Sequence, residues 1–254
     1  MATTMNVAIV TGGARRVGRA IVEDLAGHGW AVAIHCNRSR SQGDDLAAAI
    51  NAAGGRAAVV VADLAKTESV AKIVGETSAA LGAPTLLVNN AATYERDTFG
   101  SLDLAAWRRQ MAINFETPVF LAEAFAAAVP AGVEGNIVSI IDQVVWRPTP
   151  RNVSYALAKS GLWTATRMLA QALAPRIRVN GIAPGPTLAN DRQSEERFQS
   201  QTRSVLLGHG PELAEFGRTV RFFVENRSIT GQMIGLDGGQ HLSWATPDTA
   251  EFDE

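Results

Sequence analysis

The sequence predicts a single α/β domain of the doubly wound type, with a mainly parallel sheet covered by helices on both faces. Short, unbroken apolar runs such as 6–10 (NVAIV) and 57–61 (AAVVV) alternate along the chain with segments of helical period. Strands of a parallel sheet are buried on both faces, so they read as continuous apolar runs. The helical segments between them supply the right-handed crossovers that parallel strands need. The 254 residues contain no repeat, linker or low-complexity stretch, which favours one domain over the whole chain, residues 1–254.

Each element follows from a local signal. Helices are assigned where apolar residues recur every three or four positions, and glycines such as Gly29 and Gly54 mark where two of them end. Pro118 predicts a kink in the long fourth helix, because proline removes a backbone donor. In chain order the predicted elements are strand 6–10, helix 17–28, strand 30–35, helix 44–53, strand 57–61, helix 68–81, strand 85–88, helix 104–128, strand 136–141, helix 153–173, strand 177–182, helix 211–225 and strand 232–236.

One long region, 186–210, shows no clear period and is rich in Gln, Ser, Arg and Glu. It is either a solvated insertion or a loop that covers a ligand. It follows the carboxyl end of a strand, where open α/β sheets bind their ligands. This position favours a substrate-binding loop.

Composition restricts the function classes. A formal net charge of −2 argues against a nucleic-acid surface or a polybasic membrane anchor. The apolar stretches are well short of the ~20 residues that span a bilayer, and residues 1–6 lack the basic start of a signal peptide. The single cysteine, Cys36, leaves no internal disulfide and no cysteine-based metal cluster, and we predict no metal site. We expect a soluble cytoplasmic protein.

The turn between the first strand and the first helix reads 11–18 (TGGARRVG). Backbone N–H groups at a helix N-terminus bind a pyrophosphate well, because the helix dipole favours negative charge there. The spacing is not G-x-G-x-x-G, and any tight turn can use glycine. The position at the first strand-to-helix junction is what predicts a dinucleotide site.

The end of the second strand predicts NADPH rather than NADH. An NAD site usually places a carboxylate there to bind the ribose 2′-hydroxyl. Here the segment reads 35–40 (HCNRSR), and the first carboxylate is Asp44. Arg38 and Ser39 suit a 2′-phosphate, which arginine can hold with two hydrogen bonds. The alternative is that these arginines are solvated surface charges.

Three further residues are candidates for the same cofactor. Arg15 and Arg16 add positive charge at the glycine-rich turn. Asp63, just after the third strand, is placed to accept from the adenine amino group. As a carboxylate that follows a strand, it could equally be a helix N-cap.

Tyr155 and Lys159 are four residues apart at the start of a predicted helix, so both project from one face. A phenol with a pKa near 10 is a poor acid–base group at neutral pH. A neighbouring ammonium favours the phenolate and is expected to lower that pKa. The chain has only two tyrosines and three lysines, which favours specific roles for this pair.

These motifs, together with 89–91 (NNA) and 178–185 (RVNGIAPG), resemble those of the short-chain dehydrogenase/reductase family. The resemblance extends from the first strand to 237–239 (DGG). It implies a seven-stranded Rossmann sheet, a homotetramer, and Tyr155 as proton donor supported by Lys159. It also implies that Asn114 supports a water-linked proton path, although by position alone Asn114 could be an ordinary helix-kink residue.

Two departures from the family pattern narrow the subgroup. Arg16 stands where most members have glycine, and Asp142 stands where most have serine, 13 residues before Tyr155; Ser139 is too early to replace it. Serine donates to a substrate carbonyl, whereas an ionised aspartate only accepts. Asp142 therefore suits a substrate that offers N–H groups or needs a proton on nitrogen.

Both departures resemble the pteridine reductases, a group that includes short-chain dihydromonapterin and dihydrofolate reductases. In that resemblance the Tyr94 ring stacks on the pterin, whereas the alternative is a loop residue packed on the sheet edge. The implied activity is NADPH-dependent reduction of a pteridine C=N bond. The rival activities are an ordinary carbonyl reductase, acting on a 3-oxoacyl thioester, a sugar or an alcohol, and a non-catalytic NADPH-binding protein.

The site residues that follow fall into three sets. The catalytic set is Asp142, Tyr155, Lys159 and Asn114, and the substrate-binding set is Arg16, Tyr94, Asp142 and Tyr155. The cofactor-binding set is Gly12, Arg15, Arg16, Val17, Gly18, Asn37, Arg38, Ser39, Asp63, Leu64, Asn90, Ala91, Tyr155, Lys159, Pro184, Gly185 and Thr187. The expected partner is a small pteridine-like substrate, with no nucleic acid and no membrane.

Overall fold

Seven parallel strands form one sheet in the computed structural model, which describes residues 6–189 and 194–244. Most of the strand residues are buried, as expected for a sheet covered on both faces. In chain order the strands are β1 (Val7–Val10), β2 (Ala31–Cys36), β3 (Arg56–Val61), β4 (Leu86–Asn89), β5 (Gly135–Ile140), β6 (Ile177–Pro184) and β7 (Met233–Leu236).

The strand order is β3-β2-β1-β4-β5-β6-β7, so the direction of winding reverses between β1 and β4. These two strands pair in parallel, with Ile9 opposite Leu87. Ligands of open α/β sheets bind at the carboxyl ends of the strands beside such a reversal. The topology therefore places the site where β1 and β4 end.

Helices cover both faces of the sheet. Apolar side chains of α1, α2 and α8 pack in one core cluster, and those of α3, α5 and α6 pack in a second on the other face. The doubly wound α/β fold predicted from the sequence is confirmed. The helices are α1 (Arg16–Gly27), α2 (Arg40–Ala52), α3 (Val70–Leu81), α4 (Leu104–Met111), α5 (Thr117–Ala128), α6 (Val153–Leu173), α7 (Glu195–Arg203) and α8 (Leu213–Glu225).

The predicted single helix 104–128 is wrong in its middle. A π-helical segment, Ala112–Glu116, separates α4 from α5, and the Thr117 N–H donates to the carbonyl of Ala112 five residues back. Pro118 lies in the first turn of α5 and has no N–H to continue the α-helical pattern. The irregularity therefore lies just before the proline, as a widened turn.

The region 186–210, which shows no clear period in the sequence, contains a helix, α7. The Oγ of Ser194 accepts from the N–H of Arg197, and Glu195 and Glu196 follow in the first turn. Capping and charges that complement the helix dipole mark this helix, and apolar periodicity does not. Residues 190–193 of the predicted loop lie outside the described residues.

Element boundaries differ by a few residues elsewhere. Helix α2 begins at Arg40 and not at 44, and β6 continues to Pro184. Within residues 6–189 and 194–244, no helix is both long and apolar enough to cross a membrane.

Candidate active site

The glycine-rich turn after β1 is built around two close backbone approaches. Gly12 has φ +63°, in the left-handed region that favours glycine. A Cβ on Gly18 would lie 2.2 Å from the carbonyl oxygen of Gly12, so no larger residue fits there without moving the turn. The turn leads directly into the N-terminus of α1, with the exposed Arg15 as its N-cap and Val17 half-buried behind it.

Asn90, at the end of β4, braces this turn. Its Nδ2 donates to the carbonyls of Thr11 (2.8 Å) and Gly12 (3.3 Å). The Oγ1 of Thr11 in return accepts from the N–H groups of Asn90 (2.9 Å) and Ala91 (3.0 Å). The structure thus brings the predicted residues of two separate loops into one rigid cradle at the reversal point of the sheet.

His35 holds the other side of the turn, and sequence reasoning assigned it no role. Its Nδ1 accepts from the Gly12 N–H (3.2 Å), and its Nε2 donates to the carbonyl of Ala62 (3.1 Å). Both bonds are made by the neutral ring protonated on Nε2. Burial lowers the pKa of His35 to about 4, the hydrogen bond to Ala62 opposing the shift, so the ring is neutral at pH 7.

The predicted 2′-phosphate residues lie at the carboxyl end of β2. Arg38 is exposed, and Ser39 precedes the first turn of α2. Asp44, the first carboxylate after the strand, pairs with Arg40 on the exposed face of that helix (3.4 Å). Two features that favour NADPH are therefore seen in the structure. The end of β2 is followed by an exposed arginine, and it carries no carboxylate.

Asp63, the residue predicted to contact the adenine, lies just after β3 and bonds the loop that follows β2. Its Oδ1 accepts from the side chain of Asn37 (3.2 Å) and from the Ala65 N–H (3.1 Å), with Leu64 buried between. Asp63 is not a helix N-cap, because α3 begins at Val70. The adenine contact stays a prediction.

Arg16 has φ +52°, which explains why glycine is usual at this position. A non-glycine residue there costs of the order of 1–3 kcal/mol and persists only where its surroundings hold it. The Arg16 guanidinium donates to the carbonyls of Ala189 (3.0 Å) and Leu188 (3.2 Å), at the start of the predicted substrate loop. Arg16 therefore links the glycine-rich turn to that loop.

The segment after β6 carries the last predicted cofactor residues. Pro184 ends the strand, and the Gly185 N–H donates to the carbonyl of Leu236 (2.9 Å). The Oγ1 of Thr187 donates to the carbonyl of Gly185 (3.0 Å). These bonds fix the segment beside the end of β7.

Asp142, Tyr155 and Lys159 form the predicted catalytic group. The Tyr155 hydroxyl donates to the Oδ2 of Asp142 (2.8 Å), whose Oδ1 accepts from the Val144 N–H (2.8 Å). Lys159 is 2% exposed, its Nζ donates to the carbonyl of Ile140 (2.8 Å), and it lies 5.7 Å from the centroid of the Tyr155 ring. The aspartate after β5 and the tyrosine on α6 thus make one hydrogen-bonded pair with a buried cation nearby.

The expected effect of the lysine on the tyrosine is wrong. The pKa of Tyr155 is raised well above 10, first by desolvation and then by the charge of Asp142, which also accepts its proton. Desolvation also raises the pKa of Asp142 and lowers that of Lys159 to about 8. Tyr155 is therefore a neutral donor, because desolvation and then the carboxylate of Asp142 both oppose loss of its proton.

Tyr94 lies beside the group formed by Asp142, Tyr155 and Lys159. Its ring meets the Tyr155 ring edge to face, with centroids 5.1 Å apart and planes at 79°. Tyr94 is 42% exposed, so part of its surface remains open to a ligand. The two tyrosines of the chain are therefore in direct contact, and their shared role in a substrate pocket stays a prediction.

Asn114 lies in the π-helical segment and is fully buried. Its side-chain amide makes both bonds with the backbone of one residue: Oδ1 accepts from the Thr93 N–H (2.9 Å) and Nδ2 donates to the Thr93 carbonyl (2.8 Å). Asn114 therefore anchors the segment that carries Tyr94. The water-linked proton path stays a prediction.

Sequence reasoning missed the wall formed by the end of the described chain. The Trp146 and His241 rings are in contact, with centroids 4.6 Å apart and planes tilted by 40°, and the Nδ1 of His241 lies 2.6 Å from the buried carboxylate of Asp237. The Arg147 guanidinium donates to the carbonyl of Gln240 (3.2 Å). These contacts pack the segment after β7 against the turn that follows Asp142, and only 237–239 (DGG) signalled them.

Comparisons with known proteins identify the family of the chain. The short chain dehydrogenase family model matches residues 6–200. FolM alternative dihydrofolate reductase 1 from Brucella suis, solved in complex with NADP, is 57% identical, with 98% of this chain and 99% of that chain covered and a TM-score of 0.94. Pteridine reductase 1 from Leishmania tarentolae is 31% identical, covering 95% of this chain and 98% of its own length.

The 3-oxoacyl-[acyl-carrier-protein] reductase of Synechocystis sp. is 30% identical, with 94% and 98% of the two chains covered. The resemblance to the pteridine reductases expected from Arg16 and Asp142 is confirmed by the first two relatives. The matched family model and the relatives that cover most of the chain lead to one conclusion. The chain belongs to the short-chain dehydrogenase family.

Proposed function

We propose that this protein is an NADPH-dependent reductase of a C=N bond in a pteridine of the dihydropterin or dihydrofolate type. The observation that carries the proposal is the hydrogen bond between Tyr155 and Asp142, at the position where a carbonyl reductase of this family needs a hydroxyl donor. The similarity to a FolM alternative dihydrofolate reductase and to a pteridine reductase supports it.

The residues present fit a phosphorylated dinucleotide. The glycine-rich turn leaves no room for side chains between Gly12 and Gly18, and it opens at the N-terminus of α1. Arg38 and Ser39 would hold the 2′-phosphate, and Asp63 the adenine. When bound there, NADPH supplies the hydride. The NADP complex of the Brucella suis relative supports the same cofactor.

Asp142 and Tyr155 would handle the proton. Reduction of a C=N bond adds one hydride to carbon and one proton to nitrogen, so the site must hold a proton close to the substrate. Tyr155 keeps its hydroxyl proton because its pKa is raised, and Asp142 shares that proton across 2.8 Å. The substrate nitrogen would take its proton from this pair, and solvent would restore it afterwards.

Lys159 would keep this pair in its working charge state. Its pKa of about 8 leaves it mostly protonated at neutral pH, and its charge favours an ionised Asp142. The carbonyl of Ile140 fixes the ammonium in place (2.8 Å). The remaining ammonium protons are then available for the ribose hydroxyls, as the family resemblance implies.

Tyr94, Arg16 and the region 186–210 would form the substrate side. The exposed face of Tyr94 offers a flat heterocycle a stacking surface against the Tyr155 pocket. Arg16 touches the start of the loop at Leu188 and Ala189, so loop position and cofactor turn are coupled through one side chain. We propose that this region covers the substrate.

The rival activity is carbonyl reduction, which the 3-oxoacyl reductase relative represents. Asp142 disfavours it, because a carboxylate repels the alkoxide that forms from a ketone. Replacing Asp142 by serine separates the two activities. Asp142→Ser should lower dihydropterin reduction ten- to a hundredfold, since unpaired polar groups cost roughly 1–3 kcal/mol each. Its activity on ketones and acyl thioesters should stay level or rise.

Wild type and Asp142→Ser are assayed with NADPH on a dihydropterin and on an acetoacetyl thioester. The matched control is Asp103→Ser, because Asp103 is an exposed aspartate that caps α4 away from the tyrosine pair. The control should leave both rates unchanged. Wild type that ignores the dihydropterin and reduces the thioester would reject the proposed substrate while leaving the cofactor site intact.

We also propose a homotetramer, as the family resemblance implies. Exposed apolar side chains lie on α5 and α6 (Phe120, Leu157 and Met168) and near the end of the described chain (Leu242 and Trp244). These are the two regions expected to form the contacts. Light scattering should give about four times the 26.9 kDa of one chain, and a mass near that of one chain would reject the tetramer.

A further inference from the structure

The segment between β4 and α4 behaves as an extended strand although it pairs with no strand of the sheet. From Ala91 to Asp97, burial alternates: 91, 93 and 95 are partly buried and 97 is buried, whereas 92, 94 and 96 are exposed. A period of two is the pattern of extended chain, in which successive side chains point to opposite sides. Tyr94 is on the exposed side, so the residues on the other side must hold it in place.

Side chains of α4 and the π-helical segment hold two of the inward residues, Thr93 and Glu95. The Asn114 side chain hydrogen-bonds both backbone polar groups of Thr93, its N–H and its carbonyl. The Oε1 of Gln110 accepts from the Glu95 N–H (3.1 Å), and its Nε2 donates to the Glu95 carbonyl (3.3 Å). Arg109 pairs with the Glu95 carboxylate (2.8 and 2.7 Å).

The last inward residue, Asp97, is held by a different element, the start of α6. Its carboxylate accepts from the Ser154 N–H (3.3 and 3.2 Å) and from the Ser154 hydroxyl. Its carbonyl accepts from the Asn152 N–H (2.7 Å). The Ser154 Oγ also accepts from the Nε2 of Gln110 (2.5 Å), which joins both sets of bonds. Asp97 is only 9% exposed.

Asp97 caps the N-terminus of α6, which the residue at the N-cap position does not do. Asn152, the N-cap position of α6, has φ +57° and makes no side-chain cap bond. A carboxylate at a helix N-terminus satisfies a free N–H and complements the dipole, which also compensates the charge of a buried aspartate. The cap is therefore supplied by a residue 57 positions earlier in the chain.

We infer that Asp97 is a positioning residue that clips the segment carrying Tyr94 to the helix turn carrying Tyr155. Asp97 is three residues from Tyr94, and Ser154 is the neighbour of Tyr155. The clip sets the 5.1 Å edge-to-face contact of the two rings, and with it the position of the exposed Tyr94 ring beside the Tyr155 hydroxyl. The inference rests on the proposed function only where it concerns substrate.

The first test needs no substrate. The chain has two tyrosines, so ring-labelled tyrosine gives two sets of NMR signals, which Tyr94→Phe assigns. Asp97→Ala should shift or broaden both sets, and Asp97→Asn should move them less, because one acceptor oxygen remains. The matched control is Asp103→Ala, which removes a helix cap from the same connection (2.7 Å to the Ala106 N–H) but touches neither ring. Unchanged ring signals in Asp97→Ala would overturn the inference.

The second test separates positioning from general stability. Asp97→Ala should raise KM for dihydropterin and lower kcat by about tenfold, on the scale that small misplacements produce. The Kd for NADPH should stay within about twofold, because the clip does not touch the cofactor cradle. If the Kd for NADPH rises by as much as KM rises and kcat falls, the inference is overturned, since such a uniform change indicates a damaged fold.

Ser154→Ala is the second variant in case Asp97→Ala does not fold, because it removes one hydroxyl and keeps the N–H bond to Asp97. It should move the ring signals in the same direction by a smaller amount, and unmoved signals would count against the clip. If wild type reduces no dihydropterin but the ring signals respond to Asp97, the proposed function fails and the clip stands. If wild type reduces dihydropterin and the signals do not respond, the clip fails and the function stands.

Discussion

Acidification should weaken this protein through one residue of the cofactor cradle, His35. The neutral ring accepts from the Gly12 N–H and donates to the Ala62 carbonyl. A second ring proton would replace the acceptor at Nδ1 by a donor that faces another donor. The folded protein therefore resists protonation of His35, whereas the unfolded chain does not.

The size of the loss in unfolding free energy follows from the pKa of His35, which is about 4 in the folded state against 6.5 for an ordinary histidine. The unfolded chain binds the proton first as the pH falls. The stabilisation is therefore complete above pH 6.5, is lost between pH 6.5 and 4, and changes no further below pH 4. At about 1.4 kcal/mol per pKa unit, the loss is about 3 kcal/mol.

The assay is urea unfolding at a series of pH values between 7 and 4, at one fixed protein concentration. Wild type should lose about 3 kcal/mol more unfolding free energy across this range than His35→Gln, which has no titrating ring. Carboxylates titrate in both proteins and cancel in the difference. His28→Gln is the control, because His28 is exposed at the end of α1, and it should behave as wild type. If wild type and His35→Gln lose the same unfolding free energy between pH 7 and 4, protonation of His35 does not cause the loss.

Three further predictions concern the site. Tyr155→Phe removes the hydroxyl that donates to Asp142 and should nearly abolish turnover without changing NADPH affinity; more than about a tenth of the wild-type rate would show that the proton donor is misassigned. The pH profile of kcat/KM should fall as the pH rises through about 8, where Lys159 loses its proton, and a rate that stays level to pH 10 would contradict this. Gly18→Ala places a Cβ 2.2 Å from a backbone oxygen and should weaken NADPH binding at least tenfold, whereas Gly27→Ala, with no neighbour within 4 Å, should not; equal affinities would refute the cradle.

The parts of the fold that the sequence predicted well are those with a local signal. The strands read correctly because burial on both faces leaves unbroken apolar runs such as 6–10. Helix α7 was missed because its signals are a serine cap and charged ends rather than an apolar face. The π-helical segment before Pro118 was placed as a kink at the proline, since a missing N–H alone does not say how the preceding turn adjusts.

The candidate site divides in the same way. Tyr155 and Lys159 were found because four-residue spacing is visible in the chain, and Asp142 because it departs from a family serine. His35 and Asp97 were missed because their partners lie 23 and 57 residues away, and only the folded sheet brings them together. The direction of the Tyr155 pKa shift was wrong because desolvation has no signature in the sequence.

In the proposed function, the Asp142–Tyr155 pair supplies the proton that reduction of a pteridine C=N bond requires. The most direct measurement is kcat/KM of the wild-type protein with NADPH on dihydropterins, dihydrofolate, acetoacetyl thioesters and simple ketones in one experiment. We expect a dihydropterin or dihydrofolate to be reduced most efficiently, and ketones and thioesters to be reduced far less efficiently. Efficient reduction of a ketone or thioester, with every dihydropterin and dihydrofolate inert, would contradict it.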